Sequence, residues 1–458
     1  MRNRPTRSTF QALLQHFIDT IKDDVAKGHL LPGEFLPAEI ELAKQFKLSK
    51  LSIRKGLDQL VRDGVIEKIP RVGTRICASP DNQKEVVRFA CHTSLIKEVN
   101  MVELIELFET EYPNIRIQLI PFPFQQYLED IDHYIDQDLI DVLTLNDAQC
   151  LSIQDNNRIH IFEEQQIDEN QYDFLQPGFT FENRLIAKPF VFSPLILCYN
   201  PTHFIEKEID FPAADWTWST LLQAAKQLSD QHERYGFYFH LLSQNRWPVF
   251  LLQNNFSFKQ DEPDYNRFIE SMRLCKELMV GQGMRTLLIT DDDLQAEHLF
   301  LLEKASMIMT TYFNLNYLKN SSIPYEIAPL PYIDTPRTLS INVGLGIVKS
   351  SSKREAAALF IDFLTSLPIQ RYIRTNTLSI PANKFVDEDE VQPSCYQPSQ
   401  FLSYKSSIPN MSHYDEIGMT PVQLMELRKD LTLYWSDLSN ENDLLYKLQN
   451  IIKKSYPS

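Results

Sequence analysis

LSIRKGLDQLVRDGVIEKIPRVGT, running from Leu51 to Thr74, holds a short helix, a stop, a strand and a basic turn in 24 residues. Ile53, Leu57, Leu60 and Val61 recur at helical spacing and predict the inner face of that helix. Lys50, Leu51, Ser52, Arg54 and Lys55 fall on the other face. Gly64 follows the last turn, where a left-handed residue closes a helix. Val65–Ile69 and Thr74–Ala78 are expected as strands, joined by the turn PRVG. Ser49 stands where a helix N-cap belongs.

Upstream, Ser8 or Thr9 is placed to cap a first helix with Leu13, Leu14, Phe17, Ile18, Ile21 and Val25 on its inner side, stopped by Gly28. LPGEF (Leu31–Phe35) makes a turn. Pro37 begins a second short helix, with Ile40, Ala43 and Phe46 expected on one face. KLS (Lys47–Ser49) is a tight connection. Two short helices and a hairpin in this order predict a winged helix-turn-helix, an α+β fold. Such a fold lays its third helix in the major groove. Arg54 and Lys50 then reach guanine edges or phosphates, Ser52 reaches either, and Leu51 meets a thymine methyl. Arg71 and the backbone around Gly73 form the wing against neighbouring phosphates.

Charge agrees with this division. Residues 1–78 carry 14 Lys and Arg against 9 Asp and Glu, a net of +5, while the whole chain of 458 residues stands at −16, so the remainder carries −21. A basic head on an acidic body restricts contact with a polyanion to the head. The length predicts two or three domains. The basic N-terminus is followed by no apolar run of signal-peptide length, and no window approaches 18 uncharged apolar residues, so a cytoplasmic protein without membrane attachment is expected. The six cysteines are scattered with no CxxC pair, which predicts buried, reduced thiols.

The stretch LPAEIELAKQFKLSKLSIRKGLDQLVRDGVIEKIPRVGTRI resembles the GntR-type winged-helix domain over residues 8–78 or so. The resemblance implies DNA contacts at the positions of Ile40, Lys50, Arg54 and Gly73, with Ser49, Ser52 and Thr74 as supporting donors. It also implies a homodimer on a palindromic double-stranded operator. Two positions depart from the family, since Ile40 and Lys50 each replace an arginine. Lysine lacks the planar fork that grips guanine at two atoms. An operator unlike the family's common one is therefore expected.

SPDNQKE (Ser79–Glu85) is polar, contains a proline, and is placed as a linker between a head of residues 1–78 and a body. From VVRFACH (Val86–His92) strands and helices alternate, with a helix expected at Lys97–Thr110 (Val102, Ile105 and Phe108 inward), a strand at Ile115–Ile120, a helix at Gln125–Gln137 and a strand at Asp141–Leu145. That alternation predicts a mainly parallel sheet with ligand space at its carboxyl edge. The ordered landmarks DVLTLN, RLIAKPFVFSPLILCYNPTHF, DWTWSTLLQAAKQLSD, RYGFYF, EKASMIMTTYFNLNYLK, YEIAPLPY, SINVGLGIVKSSSKREAAALFIDFLTS and SIPANK are together similar to the type 1 extracellular solute-binding proteins of ABC importers, over about residues 86–400. The resemblance implies a two-lobed α/β, periplasmic-binding-protein-like (type II) domain that closes on a sugar or oligosaccharide by hinge motion. Residues 401–458 are expected as a helical extension of that domain.

Sugar pockets set a few polar groups among apolar walls. At the segment ends that match the family's cleft, the candidates are Asn146 and Asp147 after DVLTL, Phe190 and Ser193 in PFVFSP, Trp247, Tyr312 after SMIMT, and Asn342 and Gly344 before GLGIV. Trp216, Trp218 and Trp435 are expected to pack. No HExxH, GxSxG, Walker A or metal-spaced Cys/His set is present, so neither enzyme, cofactor nor metal is expected. TDDDLQAEH (Thr290–His298) is read as a loop entering a helix. The reading that follows is a one-component transcription regulator sensing a carbohydrate. Its rivals are an importer's binding protein with a vestigial head, and an enzyme fused to a GntR-type head, for which no cofactor lysine motif is found.

Overall fold

The computed structural model describes residues 7–26, 29–31, 33–70, 72–77, 84–123, 127–230, 233–259, 263–280, 294–386 and 391–455. Arg71, Gly28, most of the expected linker and Thr290–Asp293 lie outside the described residues.

The head consists of α1 (Arg7–Ala26), α2 (Glu39–Gln45), α3 (Lys50–Arg62) and an antiparallel hairpin of β1 (Ile66–Ile69) and β2 (Gly73–Ile76). Phe35 bridges Arg75, adding a third partner to the hairpin. Phe17, Ile18 and Ile21 of α1, Leu42 of α2, and Ile53, Leu57 and Leu60 of α3 close one apolar core. Gly56 lets α1 and α3 approach, since a Cβ there would stand 2.7 Å from the Phe17 ring. Gly64, at φ +70°, ends α3 in the left-handed region as expected. The helix phases differ from expectation at two places. Val61 is 38% exposed, so the inner face of α3 ends at Leu60, and Ile40 is 51% exposed, so α2 is anchored through Leu42 instead.

The body is built on a ten-stranded sheet. Its first half is parallel, with β3 (Glu85–His92) between β4 (Ile115–Phe122) and β5 (Val142–Asn146). The expected helix at Lys97–Thr110 is two helices, α4 (Thr93–Glu98) and α5 (Met101–Glu111), broken at left-handed Asn100 (φ 53°). Met101, Leu104, Ile105 and Phe108 face inward, and Val102 is exposed. Helices α6 (Tyr127–Asp136) and α7 (Asp147–Asp155) cover the other face. A short hairpin, β6 (Thr180–Phe181) and β7 (Arg184–Leu185), leads into β8 (Lys188–Tyr199).

β8 is 12 residues long and runs through both halves of the body. It pairs antiparallel with β10 (Ala305–Thr311), β11 (Glu326–Ala328) and β12 (Thr338–Ile347). β12 in turn pairs with β5. β9 (Tyr235–Tyr238) joins β10 in parallel, and β13 (Ile380–Pro381) joins β8. Long strands shared by two apolar clusters are what make two lobes. The first lobe gathers β3–β5 and helix Arg354–Thr365, and the second gathers β9–β11 and the helices around them.

The expected extension is woven into the second lobe. β14 (Met411–Ser412) pairs in parallel with β12, and helices Pro421–Trp435 and Glu441–Ser455 supply Leu424, Leu431, Trp435 and Leu448 to its core. Trp216 and Trp218 are buried there too, with Trp218 Nε1 donating to Gln253 Oε1 (2.7 Å). All six cysteines are free, and burial raises the thiol pKa of Cys91, Cys150, Cys198 and Cys275 well above its ordinary value.

Candidate DNA-facing helix and effector cleft

On α3 the N-cap is Ser49, whose Oγ accepts from the Ser52 N–H (3.1 Å) and lies 2.6 Å from Ser52 Oγ. Ser52 is therefore buried and committed to the cap, which removes it from the groove-facing set. Lys50, Leu51 and Arg54 stand outward, Leu51 at 67% exposure. Arg54 Nε donates to Glu39 Oε2 of α2 (2.8 Å), in an ion pair that stays largely exposed. Gly73 is exposed at the hairpin, and Thr74 is partly buried, its carbonyl accepting from Leu36 N–H (2.9 Å).

In the body, three of the eight candidates converge. β5 ends at Asn146, which caps α7. Its Oδ1 accepts from the Gln149 N–H (2.7 Å), and its own N–H donates to Gln149 Oε1 (2.8 Å). Asp147 follows, fully buried, and accepts from Asn342 Nδ2 of β12 (3.2 Å). Ser340 Oγ donates to Asn342 Oδ1 (2.7 Å). The residue missing from the sequence reading is His413. Its Nδ1 lies 3.0 Å from Asn342 Nδ2 and 3.9 Å from Asp147 Oδ2, and its ring is 6.4 Å from that of Phe174. Only a backward capping pattern (His413 N–H donating to Glu416 Oε1, 2.9 Å) marks it locally.

The other candidates lie in the packed interior. Phe190 belongs to the first lobe's core. Ser193 Oγ accepts from the Tyr312 N–H (2.7 Å) and donates to the Pro194 carbonyl. Tyr312 donates its hydroxyl to the Phe401 carbonyl (2.9 Å) and meets the Phe401 ring edge-on at 5.1 Å. Trp247 packs edge-on against Trp435 at 6.5 Å. Gly344 sits at a β-bulge, where a Cβ would come within 3.0 Å of the Phe179 ring. Phe190, Trp247 and Tyr312 expose no ring face, because apolar packing from the C-terminal segment and the lobe cores covers them. Their surroundings are those of core residues.

A second polar group stands where α4 meets the short helix Tyr312–Leu315. Glu297 is buried and accepts from Thr310 Oγ1 and from Asn314 Nδ2 (2.9 Å). Burial, reinforced by the charge of Glu297 and opposed by a bond from Ser94, pushes Glu98 up to about 7. The folded protein thus binds a proton that the unfolded chain releases near the ordinary carboxyl value of 4.5. Stability falls as pH rises through the window between these values. Glu98→Gln is expected to remove that fall and to gain about 2 kcal/mol at pH 8, with little change at pH 4.5, in urea titrations at the two pH values.

Between head and body lies a cavity of about 790 Å³, lined by Leu14, Ile18 and Asp19 of α1, Arg62 of α3, and Arg116 and Gln118 of β4. Burial pushes Asp19 up to about 6, against a bond from Gln15 and the charge of Arg88. Arg88 itself grips buried Asp141 through Nε (2.9 Å) and Nη2 (3.0 Å).

Known proteins match the two parts separately. Residues 13–76 match the family described as bacterial regulatory proteins, gntR family, and residues 103–394 match that of bacterial extracellular solute-binding proteins. Neither family is one of enzymes. The mannosyl-D-glycerate transport/metabolism system repressor MngR of Escherichia coli (strain K12) is 36% identical over 64 residues, 14% of this chain and 27% of its own. A probable fructoselysine utilization operon transcriptional repressor of the same strain is 35% identical over 68 residues, 15% and 28%. The chain spans about a quarter of the length of these curated relatives. Among solved structures, an ABC substrate-binding protein of Listeria monocytogenes in complex with cycloalternan superimposes with a TM-score of 0.70 at 18% identity, over 81% of this chain and 99% of that one. Maltose-bound MalE3 of T. maritima gives 0.69 at 17%, over 81% and 100%. Among the described residues no helix is long and apolar enough to cross a membrane. Through residues 103–394 the chain belongs to the bacterial extracellular solute-binding protein family, and residues 13–76 give it a head of the gntR regulatory family.

Proposed function

We propose that this protein is a one-component, cytoplasmic transcription regulator, without enzymatic activity, that senses a sugar or oligosaccharide. Its head binds a palindromic operator as a homodimer, and its body closes on the effector. The genes controlled are those of carbohydrate uptake or use. The observation that carries this reading is the union, in one chain, of an outward basic helix presenting Lys50 and Arg54 with a two-lobed sugar-binder fold. Two curated relatives matched by the head are named as repressors of sugar-derivative systems, and the solved relatives of the body hold cycloalternan and maltose. The head–body cavity gives a route for coupling, since α1 and α3 both line it opposite β4. Coupling requires only that the effector bind the two operator-affinity states unequally.

The test is fluorescence anisotropy on the DNA upstream of the protein's own gene, with and without mono- and oligosaccharides including maltose and cycloalternan. The expected result is operator binding that one sugar shifts by about 5- to 150-fold. DNA binding untouched by the whole panel would remove the sensor half. Sugar binding without any DNA affinity would leave the importer-type binding protein with a vestigial head.

A further inference from the structure

Helix Pro421–Trp435 is apolar on two sides. Leu424, Leu427, Leu431, Tyr434 and Trp435 bury one side in the second lobe. The opposite side is formed by Val422, Met425, Glu426, Lys429 and Leu433, which recur at helical spacing and are all exposed. Val422, Met425 and Leu433 are 58%, 52% and 43% exposed. The helix closes through left-handed Asp437 (φ 61°), where the Leu438 N–H donates to the Leu433 carbonyl (2.9 Å). That closure brings Leu438, 74% exposed, back to the end of the stripe. A helix that is apolar all round is ordinarily covered all round.

The charges on this face point to what covers it. Glu426 and Lys429 lie equally far on either side of the midpoint between Leu427 and Arg428, and so do Val422 and Leu433. A two-fold axis through that midpoint lays a second copy of the helix antiparallel on the first. Glu426 of each copy then faces Lys429 of the other, and Val422 of each faces Leu433 of the other. The face is complementary to itself, as an isologous interface requires. The exposed face of α5 lacks this property. It carries Val102 and Leu107 with Glu103 and Glu106 and no base, so two copies of it repel.

We infer that helix Pro421–Trp435 is the dimer interface of the body: two copies of this chain pair antiparallel through Val422, Met425, Leu433 and Leu438, with Glu426 and Lys429 setting the register. Apolar burial supplies the affinity, since exposed ion pairs contribute little. The charges choose the orientation, because a parallel pair would set like against like. A stable homodimer buries roughly 800 Å² of each copy, more than one helix face offers, so the flanking surface at Leu438 takes part. The inference deepens the proposed homodimer and rests on that reading for its partner, whereas the surface is read from the helix itself.

The test is sedimentation velocity of the full-length protein, without DNA or sugar, over a micromolar concentration series. The wild type is expected to sediment as a dimer. Leu433→Asp is expected to raise the dissociation constant by about tenfold or more, as a charge left unpaired in an interface does. Glu426→Lys and Lys429→Glu each set like charges across the two-fold axis and are expected to sediment as monomers. An equimolar mixture of these two variants is expected to form a dimer again, because the basic face of one meets the acidic face of the other. The substituted side chains are exposed, and circular dichroism matching the wild type checks the fold. A monomeric wild type, which would leave the face to another protein, overturns the interface. So do charge variants that dimerise like the wild type, or a mixture that stays monomeric. Operator anisotropy reads the regulator proposal separately: a dimeric wild type without DNA affinity would sink that proposal and leave this one standing.

Discussion

Replacing Trp435 by alanine is expected to destabilise the second lobe by about 3–5 kcal/mol, the usual range for emptying a core tryptophan site. The indole is fully buried, its Nε1 donates to the Met272 carbonyl (3.1 Å), and its ring meets Trp247 edge-on at 6.5 Å. Deleting residues 401–458 is expected to be worse. It removes Leu424, Leu431, Trp435 and Leu448 from one core, strips Tyr312 of its hydroxyl partner at Phe401, and takes the Phe401 ring from under Arg374, whose guanidinium lies 4.0 Å from its centre. Urea unfolding followed by tryptophan fluorescence reads both changes. A truncated protein that unfolds cooperatively at the wild-type midpoint would show that the segment is an accessory after all.

Arg54→Ala is expected to weaken operator binding by roughly 1–3 kcal/mol, about 5- to 150-fold, if the guanidinium reads a base. In the free protein this side chain is paired with Glu39, an exposed contact that orders it only weakly. Glu39→Ala should then reproduce a small part of the loss, by freeing the arginine without removing it. Lys50→Ala is expected to act on all sequences alike, reducing the salt slope by about one, because an ammonium that meets phosphate carries no base information. Anisotropy titrations on operator and scrambled DNA at two salt concentrations separate the three. Arg54→Ala with unchanged affinity for the operator would take α3 out of the groove.

Local chemistry made the head legible. The caps at Ser49 and Gly64, the apolar period of α1 and α3, and the turn before Gly73 each act within a few residues, and α3 and the hairpin lie where that chemistry places them, whereas α1 starts at Arg7, ahead of Ser8 and Thr9, and α2 at Glu39, two residues past Pro37. The alternation of strand and helix after Glu85 was legible for the same reason. What local pattern does not carry is phase and partnership. Ile40 and Val61 fit a helical stripe, but which edge of the stripe is inner depends on what α1 and the hairpin cover. Ser52 looks like a groove-facing hydroxyl until the cap at Ser49 takes it. Trp247 and Tyr312 match cleft positions, yet the segment after residue 400 covers them, and nothing near them in sequence announces it. His413 was invisible because its partners, Asp147 and Asn342, come from distant parts of the chain and meet only when β14 joins β12. The sequence by itself determined a winged helix-turn-helix type of head and an alternating α/β body, since helix caps and strand alternation are short-range, while the two lobes were implied only by the resemblance to solute-binding proteins. The tertiary structure alone decided which polar groups share the interlobe site, since burial there depends on chain segments that folding brings together.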